Sequence, residues 1–292
     1  MRGRTPEQAP PAATRPPPWR GVRVEVRGLL DGVRRRLVGR DLALIGAGLT
    51  FYAGIAVVPL LAVAFALTAR VTSTDQVRAL TDRLAGVLPD DIGAPDALTR
   101  LAQAGVELDW LRIVLALFPM SFYGEGLRRA LLRFTDHRDT LTGWRGRLLI
   151  LPLVLLTPFL LYPLLLVGGQ LADLAGGEGF AYGLAGVAVG YYSVLAALTL
   201  PLVWGFRVVA PERLRWRAVV PGALFTAACL SGFLQGFVLF LDLPLDIGAP
   251  FGGLTVVGGV VAVGLWLFLL HLVVIAGWLT TQALHDRLAP SG

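Results

Sequence analysis

The sequence predicts an all-α fold, a polytopic membrane bundle of six transmembrane helices, and three observations carry that prediction. Of 292 residues, 55% are hydrophobic and only 16% charged. Mean hydropathy is +0.67, and the apolar residues gather in runs close to the roughly 20 that a bilayer crossing requires. Arginines then concentrate in alternate connecting segments, the asymmetry expected of loops that face a cytoplasm.

The first 18 residues, MRGRTPEQAPPAATRPPP, hold six prolines and no apolar h-region. They predict a disordered cytoplasmic tail over 1–18 and no cleaved signal peptide. From 19 to 40, Val22, Val26, Leu29, Leu30, Val33 and Leu37 recur at helical spacing, with Arg20, Arg23, Arg27, Arg34, Arg35 and Arg36 between them. That is the pattern of an amphipathic helix lying in an anionic inner-leaflet surface, either as a positive-inside anchor or as a contact for lipid head groups.

Membrane spans follow near 42–68, 110–132, 148–169, 181–206, 218–241 and 252–283, within a membrane domain over 41–285, and a short cytoplasmic tail closes the chain at 286–292. Residues 1–40 carry ten arginines against three acids. Arg133, Arg138, Arg145 and Arg147 follow span two, and Arg207, Arg213, Arg215 and Arg217 follow span four. The other connections are acidic: 70–109 holds four arginines against seven acids, 170–180 only Asp173 and Glu178, and 242–250 only Asp242 and Asp246. Both termini are therefore expected in the cytoplasm. In the outer loop, 70–109, Ser73 and Gln76 form a capping-box pattern ahead of Val77, Leu80, Leu84, Val87 and Leu88, with Pro89 as the stop. This predicts short helices roofing the outer mouth or lying on the outer leaflet. Span three, with Pro152, Pro158 and Pro163 and almost no polar side chain, is expected to be bent and lipid-facing.

Span two poses the functional question. Its segment FPMSFYGEGLRR, 118–129, sets a carboxylate and two guanidinium groups among apolar residues. Counting 1.5 Å per residue from Leu111, Ser121 lies about 15 Å in and Glu125 about 21 Å in, with Arg128 and Arg129 near the inner boundary. Glu125 can pair with either arginine at i,i+3 or i,i+4. Pro119, Gly124 and Gly126, with Pro59 in span one, are expected helix breaks, which membranes tolerate where freed backbone faces protein or a wet cavity. The cluster reads either as a structural ion pair at the inner rim or as the wall of a polar path, and in both cases it should face the bundle interior. Candidate path residues are Glu125, Arg128, Arg129, Ser121, Tyr123, Tyr52, Thr50, Tyr191 and Tyr192. Ser231 and Gln235, on one face of span five, could extend the lining.

Other chemistry lacks its signatures. The lone cysteine, Cys229, excludes a disulfide framework. His137, His271 and His285 have no metal-ligand spacing, so no metal site is expected, and metal-assisted phosphodiester cleavage has no carboxylate cluster to use. No phosphate loop, HExxH or GxSxG is present. No cofactor, no catalytic residue and no nucleic-acid partner is expected, despite a net charge of +6.

GAGLTFYAGIAVVPLLAV in span one and FPMSFYGEGLRRALLRF in span two resemble the YihY/virulence factor BrkB family of bacterial inner-membrane proteins, over roughly residues 30–285. The matching positions are Phe51, Tyr52 and Pro59, then Phe118, Ser121, Phe122, Gly126, Arg128 and Arg129. The resemblance implies a six-span protein of the plasma membrane, of a family once mislabelled ribonuclease BN and linked to envelope integrity, serum resistance and lipid movement. The first functional expectation is a transporter that carries a lipid or amphiphile along an inward-facing polar groove, its head group on Arg128 and Arg129 and its partners anionic inner-leaflet lipids. Others are a non-catalytic scaffold for envelope assembly, as a homo-oligomer or with an envelope partner, and an integral membrane enzyme acting on a lipid-linked substrate.

Overall fold

The computed structural model describes residues 18–86, 93–135, 141–175, 179–241 and 248–288, with 88, 177 and 243. Nearly all of the tail expected at 1–18, the stop at Pro89, His137, Glu178, Asp242, Asp246 and the last four residues lie outside the described residues. Among those described the chain is all helical: α1 (Pro18–Leu37), α2 (Leu42–Val71), α3 (Thr74–Ala85), α4 (Ala94–Val106), α5 (Trp110–Leu132), α6 (Thr142–Ala175), α7 (Phe180–Trp204), α8 (Trp216–Leu241) and α9 (Thr255–Leu288). A π-helical turn, Gly205–Val209, ends α7, and a 3₁₀ turn, Ala249–Phe251, precedes α9.

Five segments are long and apolar enough to cross a bilayer: Leu42–Val71, Thr142–Gly168, Phe180–Val209, Trp216–Phe240 and Val256–Leu288. The sixth expected span, α5, falls short of that standard because it carries Arg112, Glu125, Arg128 and Arg129. Its boundaries nonetheless match those expected, and Asp109 caps its start by accepting the Arg112 amide at 2.7 Å. The protein is a polytopic helical membrane protein, and its charged helix lies against both α2 and α6.

Core packing divides by depth. Leu49, Leu127, Leu131, Phe134, Ile150, Phe206, Leu214, Ile275 and Trp278 form one cluster at the arginine-rich end. Val63, Ile113, Met120 and Val154 join α2, α5 and α6 further along. Phe65, Val77, Leu80, Ala102 and Leu165 form a third, which fastens α3 and α4 onto α2 and α6. Helices α3 and α4 thus pack their apolar faces on the bundle. Ser73 caps α3 by accepting the Gln76 amide at 3.2 Å, but the reciprocal half of the capping box is absent because the Gln76 amide group donates instead to the Tyr162 hydroxyl at 2.7 Å.

Helix α1 docks on α9, with Val33 and Leu37 against the core and Arg36 paired with Asp286. Among the described side chains of its apolar stripe, Leu30 is exposed. Helix α6 contains Pro152, Pro158 and Pro163 without interruption and turns Leu148, Leu155, Phe159 and Leu166 outward, as a lipid-facing helix should.

Candidate functional site

Helix α5 is amphipathic along its length, not around it. Trp110, Leu111, Val114, Leu115 and Phe118 in its first half are exposed, whereas Met120, Ser121, Gly124 to Arg128, Ala130 and Leu131 are buried. Within the ionisable stretch Glu125 and Arg128 face protein, whereas Arg129 is exposed. Neither Pro119 nor Gly124 nor Gly126 breaks the helix, and α2 likewise continues through Pro59. The glycines serve close approach. A Cβ on Gly124 would lie 2.2 Å from the Gly146 carbonyl oxygen, and one on Gly146 would lie 2.4 Å from the Gly124 oxygen, so α5 and α6 touch backbone to backbone. A Cβ on Gly126 would meet the Tyr52 ring at 2.5 Å, which makes Gly126 the contact with α2.

That approach brings Arg147 of α6 onto Glu125. Arg147 Nε donates to Glu125 Oε2 at 2.6 Å, and Arg129 donates through Nε and Nη2 to Oε1, both at 2.8 Å. Glu125 is 6% exposed, and two guanidinium groups hold its charge. Arg147 in turn lies 3.9 Å from the Phe122 ring centroid and 5.6 and 5.7 Å from those of Phe118 and Trp144. Tyr52 stacks on Phe122 at 6.4 Å, with Phe51 edge-on to Tyr52 at 6.1 Å. Phe51, Tyr52, Phe118 and Phe122 therefore form one patch around a largely buried ion pair, a setting in which cation–π contact gains from desolvation.

Arg128 and Arg129 part company. Arg128, 7% exposed, points to the π turn and donates to the Val209 carbonyl at 2.6 Å and, more weakly, to that of Ala210 at 3.4 Å. Pro211 cannot continue the helix, and the terminal carbonyls that result suit an arginine. Arg129 is 57% exposed at its side chain; it lines the cleft between α2 and α5, while its guanidinium reaches Glu125 and the start of α6 beside Gly143. The groove expected to hold both arginines is two clefts separated by α5, because neighbouring helix positions do not face each other.

The first cleft, of about 490 Å³, lies between α2 and α5. Arg40, Asp41, Arg129 and Arg133 line its mouth, and Leu44, Ile45, Leu49, Gly126 and Tyr52 its length. The second, of about 780 Å³, lies between α5, the start of α6 and the connection from α7 to α8; Arg128, Arg145, Arg207 and Arg213 converge there beside Trp216.

The remaining expected path residues do not join either cleft. Ser121 donates to the Phe118 carbonyl at 2.7 Å within its own helix. Thr50 donates to the Gly46 carbonyl at 2.9 Å and lies 3.1 Å from His271 Nδ1, with the Tyr123 ring 5.9 Å from the His271 ring, a polar knot between α2, α5 and α9. Tyr191 ties α7 to α8: its hydroxyl donates to the Ala228 carbonyl at 3.2 Å, and its carbonyl accepts from Ser231 at 2.6 Å. Gln235 packs against Gly190 on the same interface. Tyr192 is exposed in a crevice between α6 and α7. Tyrosines matched in computed depth thus sit at different angular positions. Arg145, Arg147, Arg207 and Arg213 stand in the sequence only as loop charges, Trp216 carries no signal of its own there, and their convergence depends on helix packing. Among the described residues, no three His, Cys, Asp or Glu side chains gather to form a metal site.

The fold and the ionic cluster define a multi-helix membrane protein with an arginine-lined end. The model of the virulence factor BrkB family matches residues 33–291. The chain belongs to that family. No curated protein and no solved structure matches it.

Proposed function

We propose that the protein moves a lipid or other amphiphile through the bacterial inner membrane, with six spans, both termini in the cytoplasm, and the cleft between α2 and α5 as its cytoplasmic entrance. The observation that supports this reading most strongly is the gradient along that cleft. Arg40, Arg129 and Arg133 gather at one end, and Leu44, Ile45 and Leu49 lead inward to Tyr52. Asp41 and Tyr52 are 11 residues apart, which along a helix is about 16 Å, half of a ~30 Å hydrocarbon core. An amphiphile fits such a gradient, its head group on the guanidinium groups and its tail along the apolar wall. Glu125 holds Arg129 in place and does not meet the cargo, and no catalytic step is part of the reading.

The test is lipid redistribution in vesicles reconstituted with the purified protein, followed by fluorescent-lipid quenching from outside. Wild type accelerates exchange between leaflets; Arg129→Gln slows it by about tenfold, the loss that follows from removing one charge-assisted contact, and Tyr52→Trp, which fills the cleft, slows it by obstruction. Vesicles with correctly folded wild-type protein that exchange no faster than empty ones would remove the transport reading.

A further inference from the structure

We propose that the cleft between α5, the start of α6 and the α7–α8 connection binds a phosphate group, either on a lipid head or free in solution. It lies across α5 from the proposed entrance and takes its anion whether or not any cargo moves.

Four guanidinium groups reach this cleft from separate segments: Arg128 from α5, Arg145 from α6, Arg207 from the π turn and Arg213 from the connection that follows. Among the described residues no carboxylate lines it. Glu212, beside Arg213 in sequence, is engaged elsewhere, accepting from Gln282 Nε2 of α9 at 2.6 Å. Arg207 and Arg213 meet no carboxylate among the described residues. The Nε of Arg207 is buried with no hydrogen-bond acceptor, and its guanidinium lies 5.2 Å from the centroid of the Trp216 ring. A buried donor without an acceptor is uncommon and costly. An anion that brought acceptor oxygens would relieve it.

The geometry is organised in advance. Arg128 is anchored on the Val209 and Ala210 carbonyls, so the back wall does not need to be ordered on binding. The π turn carries Arg207 on a short, irregular segment of a kind frequent at functional sites. Planar guanidinium groups match phosphate oxygens in pairs, and several cations together suit a phosphate better than a carboxylate. Volume adds a further indication: about 780 Å³ exceeds the needs of an inorganic anion, and Leu148 and Trp216 at the lip are exposed apolar surfaces against which a glycerol and the first carbons of its chains can lie.

The experiment is isothermal titration of the purified full-length chain in a neutral detergent at low salt, with two titrants: inorganic phosphate and water-soluble dihexanoyl phosphatidic acid. Binding of at least one is expected. Arg213→Gln, an exposed position, weakens it by about tenfold, and Arg207→Gln/Arg213→Gln weakens it further. The Lys/Lys double variant retains charge and falls between, because ammonium groups do not bind oxygen pairs in a fork. Binding of the lipid alone assigns the site to a head group; comparable binding of both assigns it to the phosphate itself. Absence of binding by either titrant to wild type, or wild-type affinity in monodisperse Arg207→Gln/Arg213→Gln protein, overturns the proposal.

Discussion

Two of the helix crossings that use glycine for close approach, α8 with α9 and α5 with α6, differ in that only the second carries charge. Where α8 crosses α9, a Cβ on Gly222 would lie 2.1 Å from Thr281 Oγ1, and one on Gly277 would lie 2.0 Å from Thr226 Oγ1. Each threonine hydroxyl is already satisfied by a carbonyl of its own helix, Gly222 at 2.7 Å and Gly277 at 2.8 Å. That crossing is close and uncharged. Where α5 crosses α6, Gly124 and Gly146 meet backbone to backbone, and Glu125, Arg129 and Arg147 are stacked on the contact. Small residues alone let membrane helices pack closely. The carboxylate is therefore not needed to join the helices; it fixes two guanidinium groups, one caged by aromatic rings and one presented to the α2–α5 cleft.

The largest effect expected from breaking this contrast is that of Glu125→Ala. It leaves Arg147, whose side chain is 20% exposed, without its counter-charge and costs about 3 kcal/mol, the lower end for breaking a buried pair. Thr226→Val at the uncharged crossing removes one neutral hydrogen bond and costs about 1 kcal/mol. Thermal denaturation in detergent, monitored by size exclusion, separates the two. Replacing both partners, as Glu125→Gln with Arg147→Met, recovers most of the loss, because the penalty belongs to the orphaned ion. Equal destabilisation by Glu125→Ala and Thr226→Val would show that the ion pair is worth no more than packing.

This contrast also marks where sequence reasoning stops. Hydropathy and the high cost of charge in hydrocarbon were enough to turn the Glu125 face inward and to bound α5 at Trp110 and Leu132. They could not supply Arg147, a loop charge until the approach of Gly124 to Gly146 carries it to Glu125. Nor does depth supply angle. Tyr191 and Tyr52 lie at similar computed depths yet belong to different interfaces, and Arg128 and Arg129, adjacent in the chain, line different clefts. The rule that i and i+1 diverge on a helix was readable in the sequence and argued against a single groove.

Next in size is Arg128→Gln. It removes the cation from the Val209 and Ala210 carbonyls, and its expected cost is roughly 1.5 to 3 kcal/mol, the range for hydrogen bonds to a charged group. Hydrogen exchange localises the change: amides of the π turn, residues 205–209, lose protection while those of the α8–α9 crossing retain it. Loss of protection spread evenly over both regions would mean that Arg128 is not a local cap.

Gly124→Ala and Gly277→Ala test the crossings themselves, each at about 1 to 3 kcal/mol. The distinction lies in rescue. The Cβ at position 277 meets the Thr226 side chain, so adding Thr226→Gly restores stability; the Cβ at position 124 meets the backbone oxygen of residue 146, which no side-chain substitution removes. A second-site variant at Thr226 that fails to help would place the strain elsewhere in α8.

The smallest effect on stability belongs to Arg129→Gln, and it is the most informative about function. Arg129 shares Glu125 with Arg147, but its side chain is 57% exposed, so losing its half of the network costs no more than about 1 kcal/mol. The carboxylate keeps its shorter bond, 2.6 Å to Arg147. If Arg129 merely seasoned the crossing, the variant would be silent in every assay. If it is the head-group contact of the α2–α5 cleft, lipid exchange slows while the melting temperature hardly moves. Glu125→Gln with Arg147→Met then completes the comparison: with stability largely restored but Arg129 released from its anchor, exchange remains slow, because a mobile guanidinium must be ordered anew at each binding event.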